Sequence, residues 1–319
     1  MAVDAMGGDR APGEVVAGAL RARQLGIPVV LVGRAAELGD TEGLEVIEAS
    51  QVVAMDEDPS QAVRRKKDSS LVRAAEAVRD GRASAMVSAG NTGAAMAAAL
   101  LRMGRLKGVA RPAIATPLPV PGSTPNVLID AGANAECTPA WLVQFAQMGA
   151  AYARERYGVA EPRVGLLSIG EEPTKGSPLV KQAHAALAAG AGVSFVGNVE
   201  GRDLLTRAAD VVVTDGFTGN VALKTLEGGL KVFMSVLLEA ASASEEAKAA
   251  AEVLLEAMGP AIGQFDPDRT GGALLLGVDG VCVISHGSSS AAAIESAVSV
   301  AWDMAGRGLV RRLAEAISA

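Results

Sequence analysis

Ala85-Met-Val-Ser-Ala-Gly-Asn-Thr-Gly-Ala94 begins as a short apolar run, turns through glycine, and passes into an Ala-rich stretch ending at Met103. The first four residues are strand-length, and the later apolar positions recur three and four apart, the period of a helix. Strand, Gly-x-Thr-Gly, helix is the reading, and Val211-Val-Val-Thr-Asp-Gly-Phe-Thr-Gly-Asn220 repeats it. Each turn sets glycines and a hydroxyl where a strand's carboxyl end meets a helix N-terminus. Open α/β sheets bind ligands there, and backbone N–H groups can cradle an anion. Two such turns could hold a phosphate between them; shared turn chemistry is the alternative explanation of the match.

The rhythm extends along the chain. Pro28–Val32, Ala85–Ser88, Ala113–Thr116, Val127–Asp130, Val164–Ser168, Val193–Val196, Val211–Thr214 and Gly280–Ile284 read as strands. Gly13–Leu25, Ser69–Asp80, Thr92–Met103, Pro139–Tyr157 and Leu179–Ala188 read as helices. Strands alternating with helices predict a mostly parallel sheet covered on both faces, a three-layer α/β/α fold. Residues 1–319 are expected to form one unit, with a helical hairpin inserted at about 220–262 and broken near Ser242–Ser244. The hairpin carries more Leu, Val and Met than a solvated pair needs, so it is expected to pack against a second copy as a homodimer.

Half of the 319 residues are hydrophobic but only 3% are aromatic, so the core must be built from Ala, Val, Leu and Ile. A net charge of -7 argues against nonspecific nucleic-acid binding, which needs a broad field of Lys and Arg. Cys137 and Cys282 have no metal-ligand spacing around them, and no metal or cofactor is expected. The N-terminus lacks the basic-then-apolar order of a secretory signal, and no membrane-spanning segment is evident, which makes a cytoplasmic location the expectation.

Five segments join glycine to polar side chains with no evident core role: Asp4 to Pro12, the two Gly-x-Thr-Gly turns, Ile169 to Gly176, and Ser285 to Ser290. His286 follows an apolar strand and precedes a Ser-rich helix start, so it could handle a proton near neutrality, with Ser288 capping the helix or binding phosphate. A buried histidine orienting a loop is the plainer alternative, and His184, in an Ala-rich helix, reads as a surface residue. Lys175 stands in a Gly/Pro/Thr loop where a flexible cation could meet a phosphate or a thioester oxyanion. Asp130 and Asn134 again end a strand, the first to orient loop N–H groups and the second to donate to substrate. Arg64, Arg65, Lys66 and Lys67 form the densest basic run, either a solvated helix face or a steering patch for an acidic macromolecule. No Gly-x-x-x-x-Gly-Lys-Ser/Thr loop and no strand-borne Gly-x-Gly-x-x-Gly supports nucleotide use.

Taken in order, Asp4-Ala-Met-Gly-Gly-Asp9, Arg64 to Ser70, Ser88-Ala-Gly-Asn-Thr-Gly93, Gly197-Asn-Val-Glu-Gly201, Asp215-Gly-Phe-Thr-Gly-Asn220 and His286-Gly-Ser-Ser289 resemble the phosphate acyltransferases of the PlsX family, from Val3 to about residue 300. The resemblance implies a homodimer similar in fold to phosphate acetyltransferases and isopropylmalate-type dehydrogenases. It implies acyl transfer from acyl carrier protein to inorganic phosphate at the start of bacterial phospholipid synthesis, with the product passed to a membrane glycerol-phosphate acyltransferase. Arg10 stands where the family often has histidine, so no proton transfer is assigned there. The family's hairpin tip can touch the membrane, whereas Glu239, Glu245, Glu246 and Glu252 here oppose anionic lipid, leaving peripheral contact open.

On this reading His286, Lys175 and Asn91 are the catalytic candidates. Asp4, Gly7, Gly8, Asp9, Gly90, Thr92, Gly93, Asp130, Asn134, Asp215, Thr218, Gly219, Asn220 and Ser288 are expected to bind substrate, and Arg64 to Lys67 to dock the carrier protein. Phosphate is expected between the Asn91–Gly93 and Thr218–Asn220 turns with Ser288, while Lys175 stabilises the oxyanion. Rival readings are a phosphate acetyl- or butyryltransferase using acyl-CoA, a nicotinamide-dependent decarboxylating dehydrogenase, and a noncatalytic lipid-synthesis scaffold.

Overall fold

The computed structural model describes residues 1–265 and 267–318. Its strands are β1 (Ala2–Asp4), β2 (Val30–Gly33), β3 (Glu45–Glu48), β4 (Ala85–Ser88), β5 (Ala113–Leu118), β6 (Asn126–Ile129), β7 (Arg163–Leu167), β8 (Ser194–Val199), β9 (Val211–Val213), β10 (Ala273–Leu276) and β11 (Val281–Ile284). All belong to one sheet in the order β3-β2-β1-β4-β11-β10-β5-β6-β9-β7-β8. The helices are α1 (Gly13–Gln24), α2 (Pro59–Arg65), α3 (Ser70–Arg79), α4 (Thr92–Arg102), α5 (Pro139–Tyr157), α6 (Pro178–Ala188), α7 (Gly216–Ala241), α8 (Glu245–Ile262), α9 (Pro267–Thr270), α10 (Ala291–Gly306) and α11 (Leu309–Ser318).

Adjacent strand residues feed opposite faces of the sheet. Val3 and Val87 join a core with α1, α5, α6, α10 and α11, whereas Ala2 and Met86 join one with α2, α3 and α4. Burial on both faces explains why the strands read as continuous apolar runs, and the result is the three-layer α/β/α fold expected.

Three strands escape the sequence reading. The first, Ala2–Asp4, is very short; Glu45–Glu48 is an edge strand whose glutamates are exposed; Leu-rich Ala273–Leu276 runs antiparallel at the sheet centre.

The antiparallel pairings at the sheet centre have a long-range consequence. The pairings β11–β10, β10–β5 and β5–β6 are all antiparallel, while the remaining pairs are parallel. Three reversals turn β6, β9, β7 and β8 opposite to β1, β2, β3, β4 and β11. The carboxyl ends of the two parallel groups therefore lie on opposite edges of the sheet.

The α7–α8 hairpin leaves the second group. Ala222, Leu223 and Leu226 pack on the body, whereas Val232, Phe233, Val236, Leu238, Val253, Leu254 and Met258 are exposed. Among the described residues, no helix is long and apolar enough to cross a membrane.

Candidate active site

Three neighbouring parallel strands, β1, β4 and β11, bring their carboxyl ends together. Asp4 closes β1 at 1% exposure, and its carboxylate accepts a 2.7 Å hydrogen bond from the Ser88 hydroxyl at the end of β4. Burial pushes the Asp4 carboxyl up from its ordinary range, opposed by hydrogen bonds from Ser70, Ser88 and the N–H groups of Met6 and Gly7. The Gly90 N–H donates to the same Ser88 oxygen at 3.1 Å. The backbones then approach closely: a Cβ on Gly7 would stand 2.5 Å from Asp4 Oδ2 and 2.8 Å from Gly90 N. The third segment joins when the Asp9 N–H donates to the Gly287 carbonyl at 2.7 Å and the Ser285 N–H to that of Ser88 at 2.9 Å.

The outcome is a narrow backbone cradle formed from residues 4–9, 88–93 and 285–289. Ser285 and Ser289 are buried and share a 2.7 Å hydroxyl hydrogen bond, which leaves His286 and Ser288 exposed at the rim with Asp9, Arg10 and Thr92. Helix α4 begins in the cradle. The neighbouring N-terminus of α10 is already occupied, since the Ala291 N–H donates to Glu14 Oε2 at 2.6 Å and Ser290 to Asp268. An incoming anion therefore has α4, not α10, as its helix dipole.

These contacts already engage several residues that the sequence singles out. Asn91 has no amide proton to spare for chemistry: its Nδ2 donates to the Met55 and Glu57 carbonyls at 2.9 and 3.2 Å, and its Oδ1 caps the Ala94 N–H. Asp4 is buried beneath the cradle, its carboxylate held by Ser88. Lys66 does not lie free for docking, because its ammonium donates to the Val52 carbonyl and pairs with Glu57, leaving Arg64, Arg65 and Lys67 exposed. His184 is half-buried, edge-on to Phe195 with a ring nitrogen 2.9 Å from Asn198 Oδ1.

The second Gly-x-Thr-Gly turn builds a separate cluster. Asp130, at 0% exposure, accepts from the N–H groups of Ile114, Gly132, Ala133 and Asn134 and from the Asn134 amide. Asn134 spends its Nδ2 on Asp130 and on the Pro112 carbonyl, so it has no amide proton left to donate elsewhere. Asp215 caps α7 through the Thr218 N–H and hydroxyl, with Asn220 exposed one turn on. Gly219 is forced by its surroundings, since a Cβ there would stand 1.9 Å from the Asp130 carbonyl oxygen. Lys175 is exposed in the loop after β7, on this same edge.

The two turns do not face one another within a chain. Five strand positions separate β4 from β9, about 24 Å at ~4.8 Å each, and their carboxyl ends point to opposite edges. The expected joint phosphate cradle, with Lys175 beside it, is thus not assembled by a single copy. Missed altogether were Ser88 as the partner of Asp4, and the Met55–Glu57 segment over the cradle. Sequence separations of 84, 36 and 34 residues hide those contacts. Among the described residues, no three His, Cys, Asp or Glu side chains gather as a metal site.

Comparison with known proteins agrees with this architecture. The phosphotransacetylase of Streptococcus pyogenes superposes with a TM-score of 0.62 at 17% identity, over 100% of this chain and 94% of that one, which shows the shared fold. The phosphate acyltransferase of Anaeromyxobacter sp. (strain K) is 48% identical over 327 residues, covering 100% of this chain and 90% of the relative. That of Nostoc punctiforme is 43% identical, covering 98% and 95%. The model of the family described as fatty acid synthesis protein matches residues 1–312, and the chain belongs to that family.

Proposed function

We propose that this protein transfers a fatty acyl group from acyl carrier protein to inorganic phosphate, forming an acyl phosphate and releasing the carrier thiol. Phosphate acyltransferase activity follows from relatives of that name at 43–48% identity over almost the whole chain. The observation that carries the site assignment is the three-strand cradle of residues 4–9, 88–93 and 285–289 at the start of α4.

Phosphate at neutral pH is already a nucleophile, so the protein's task is to hold it against the thioester carbonyl and stabilise the charge that develops. In this reading the first-turn N–H groups of Thr92 and Gly93 and the Ser288 hydroxyl bind phosphate oxygens, with Arg10 adding charge at the rim. A phosphate oxygen attacks the carbonyl carbon, the tetrahedral oxyanion collapses, the carbon–sulfur bond breaks, and His286 delivers a proton to the departing thiolate. The exposed cations Arg64, Arg65 and Lys67 receive the acidic carrier protein.

The second edge enters through a homodimer. Phe217 and Val221, at 66% and 49% exposure, start an apolar stripe in the Asp215 turn that runs along α7 through Val232 and Val236. A second copy seated on that stripe lies next to Lys175, Thr218 and Asn220. One chain points these residues away from its own cradle, so they can act at a cradle only when another copy presents it. The reading puts the enzyme in the cytoplasm. The product, a reactive mixed anhydride, is handed to a membrane glycerol-phosphate acyltransferase.

The test is acyl-phosphate formation from matched C16 acyl carrier protein and C16 acyl-CoA, with and without phosphate, the product trapped as hydroxamate. Phosphate-dependent product from the carrier protein supports the proposal. Product chiefly from CoA makes the protein an acyl-CoA transferase, and none from either removes the catalytic reading.

A further inference from the structure

Residues 51–58 cross over the cradle as a strap. At one end Gln51 bridges to Ser69 and its carbonyl accepts from the Ser70 N–H; further on Val53 is buried in the core. Over the cradle, the Asn91 amide holds the carbonyls of Met55 and Glu57, and the Glu57 carboxylate pairs with Lys66. Pro59, which begins α2, lies against α4, where a Cβ on Gly93 would stand 2.6 Å from Pro59 Cγ. Anchored so closely on either side, Met55 has its backbone fixed while its side chain remains 43% exposed. Its Cε reaches Gly287, where a Cβ would stand 2.8 Å away.

An acyl thioester brings two apolar arms to the carbonyl that phosphate attacks, the acyl chain and the pantetheine arm of its carrier. The cradle itself is backbone, hydroxyl and charge. Among the described residues, the other large exposed hydrophobics lie elsewhere: Leu25, Leu101 and Trp302 at or near the far ends of α1, α4 and α10, and Ile169, Val196 and the α7–α8 residues in the oppositely running half of the sheet. Within one copy, Met55 is the large exposed hydrophobic at the mouth among the described residues. Its unbranched thioether adapts to a passing chain without demanding one shape.

We infer that Met55 is a thioester-binding residue that packs against the acyl thioester beside its carbonyl, held there by Asn91 and the Glu57–Lys66 pair. The inference rests on phosphate binding in the cradle below. Losing a thioether contact of this size lowers affinity about fivefold.

Steady-state kinetics with C16 acyl carrier protein and phosphate varied separately test it, using wild type, Met55→Ala and Met55→Leu, each matched for thermal midpoint. The expected result is a KM for the thioester raised about fivefold in Met55→Ala, a KM for phosphate changed less than twofold, and recovery to within twofold in Met55→Leu. An unchanged thioester KM, a parallel rise in the phosphate KM, or no recovery with Leu overturns the assignment while leaving the acyltransferase reading intact. Wild type that makes no acyl phosphate overturns both.

Discussion

The two edges of the sheet solve one local problem in different ways. Each has a Gly-x-Thr-Gly turn between a strand and a helix, and each has a buried aspartate beneath it. On the first edge Asp4 is bound by side-chain hydroxyls as well as backbone, Ser88 linking it to the Gly90 N–H, and the rim above is exposed at Asp9, Arg10, Thr92, His286 and Ser288. On the second edge Asp130 is enclosed by four backbone N–H groups and one amide, and α7 presses so tightly that Gly219 has no room for a methyl. The same motif makes a backbone cradle in one place and a rigid helix root in the other. What decides is whether the neighbouring loop is a strap spanning the mouth or a carboxylate knot filling it.

The largest effect expected from this contrast is on folding. Gly219→Ala puts a methyl 1.9 Å from a backbone carbonyl that cannot move freely. It should cost about 3 kcal/mol or more, lowering the thermal midpoint by about 6 °C or more. Gly90→Ala, whose Cβ would meet Ser88 Oγ at 3.2 Å and the Gly7 Cα at 3.3 Å, should cost less, about 1 kcal/mol. Equal losses by circular dichroism would erase the distinction between open cradle and packed root.

Next in size is the chemistry. His286→Ala should lower turnover about 100-fold with an unchanged melting transition, because the loop is shaped by Ser285 and Ser289 rather than by the imidazole. Near-normal turnover would remove His286 from proton delivery. Lys175→Ala should lower turnover about tenfold if a second copy presents the other edge. Mixing and re-equilibrating the His286 and Lys175 variants should then restore about one quarter of wild-type activity, since half of randomly paired dimers keep one intact site. No restoration would separate the two edges functionally.

How far the sequence reveals these edges depends on the range of each contact. The Ala85–Ser88 and Val211–Val213 strands are legible because the apolar run and the turn that ends it lie within a few residues, whereas Asn91 and Asp215, expected at the chemistry, cap the helices that follow. The hairpin is equally legible, breaking at Ser242–Ser244 as its composition suggests. Strand direction is not legible: β10, a four-residue Leu-rich segment that resembles helix as much as strand, adds two reversals that cancel, and the one that turns the second group over is the β5–β6 pairing. That pairing separates turns that look like two halves of one site. Asn91 reads as a catalytic candidate and Asn134 as a donor to substrate, although the amide of each is committed to backbone carbonyls 22 to 36 residues away.

The smallest expected effect concerns the basic run. Arg64, Arg65 and Lys67 are exposed, and surface charges mainly steer encounter, so changing all three to Gln should raise the KM for C16 acyl carrier protein about threefold at low salt and less at 0.5 M. The KM for C16 acyl-CoA should not move. Lys66 answers to different physics, since it pairs with Glu57 and supports the strap over the cradle. Lys66→Met leaves that carboxylate without its cation and should raise the thioester KM with either donor, with no dependence on salt. If Lys66→Met instead behaves like its exposed neighbours, sensitive to salt and selective for the carrier protein, then the strap does not transmit its contact to the cradle, and the basic run acts as one steering patch.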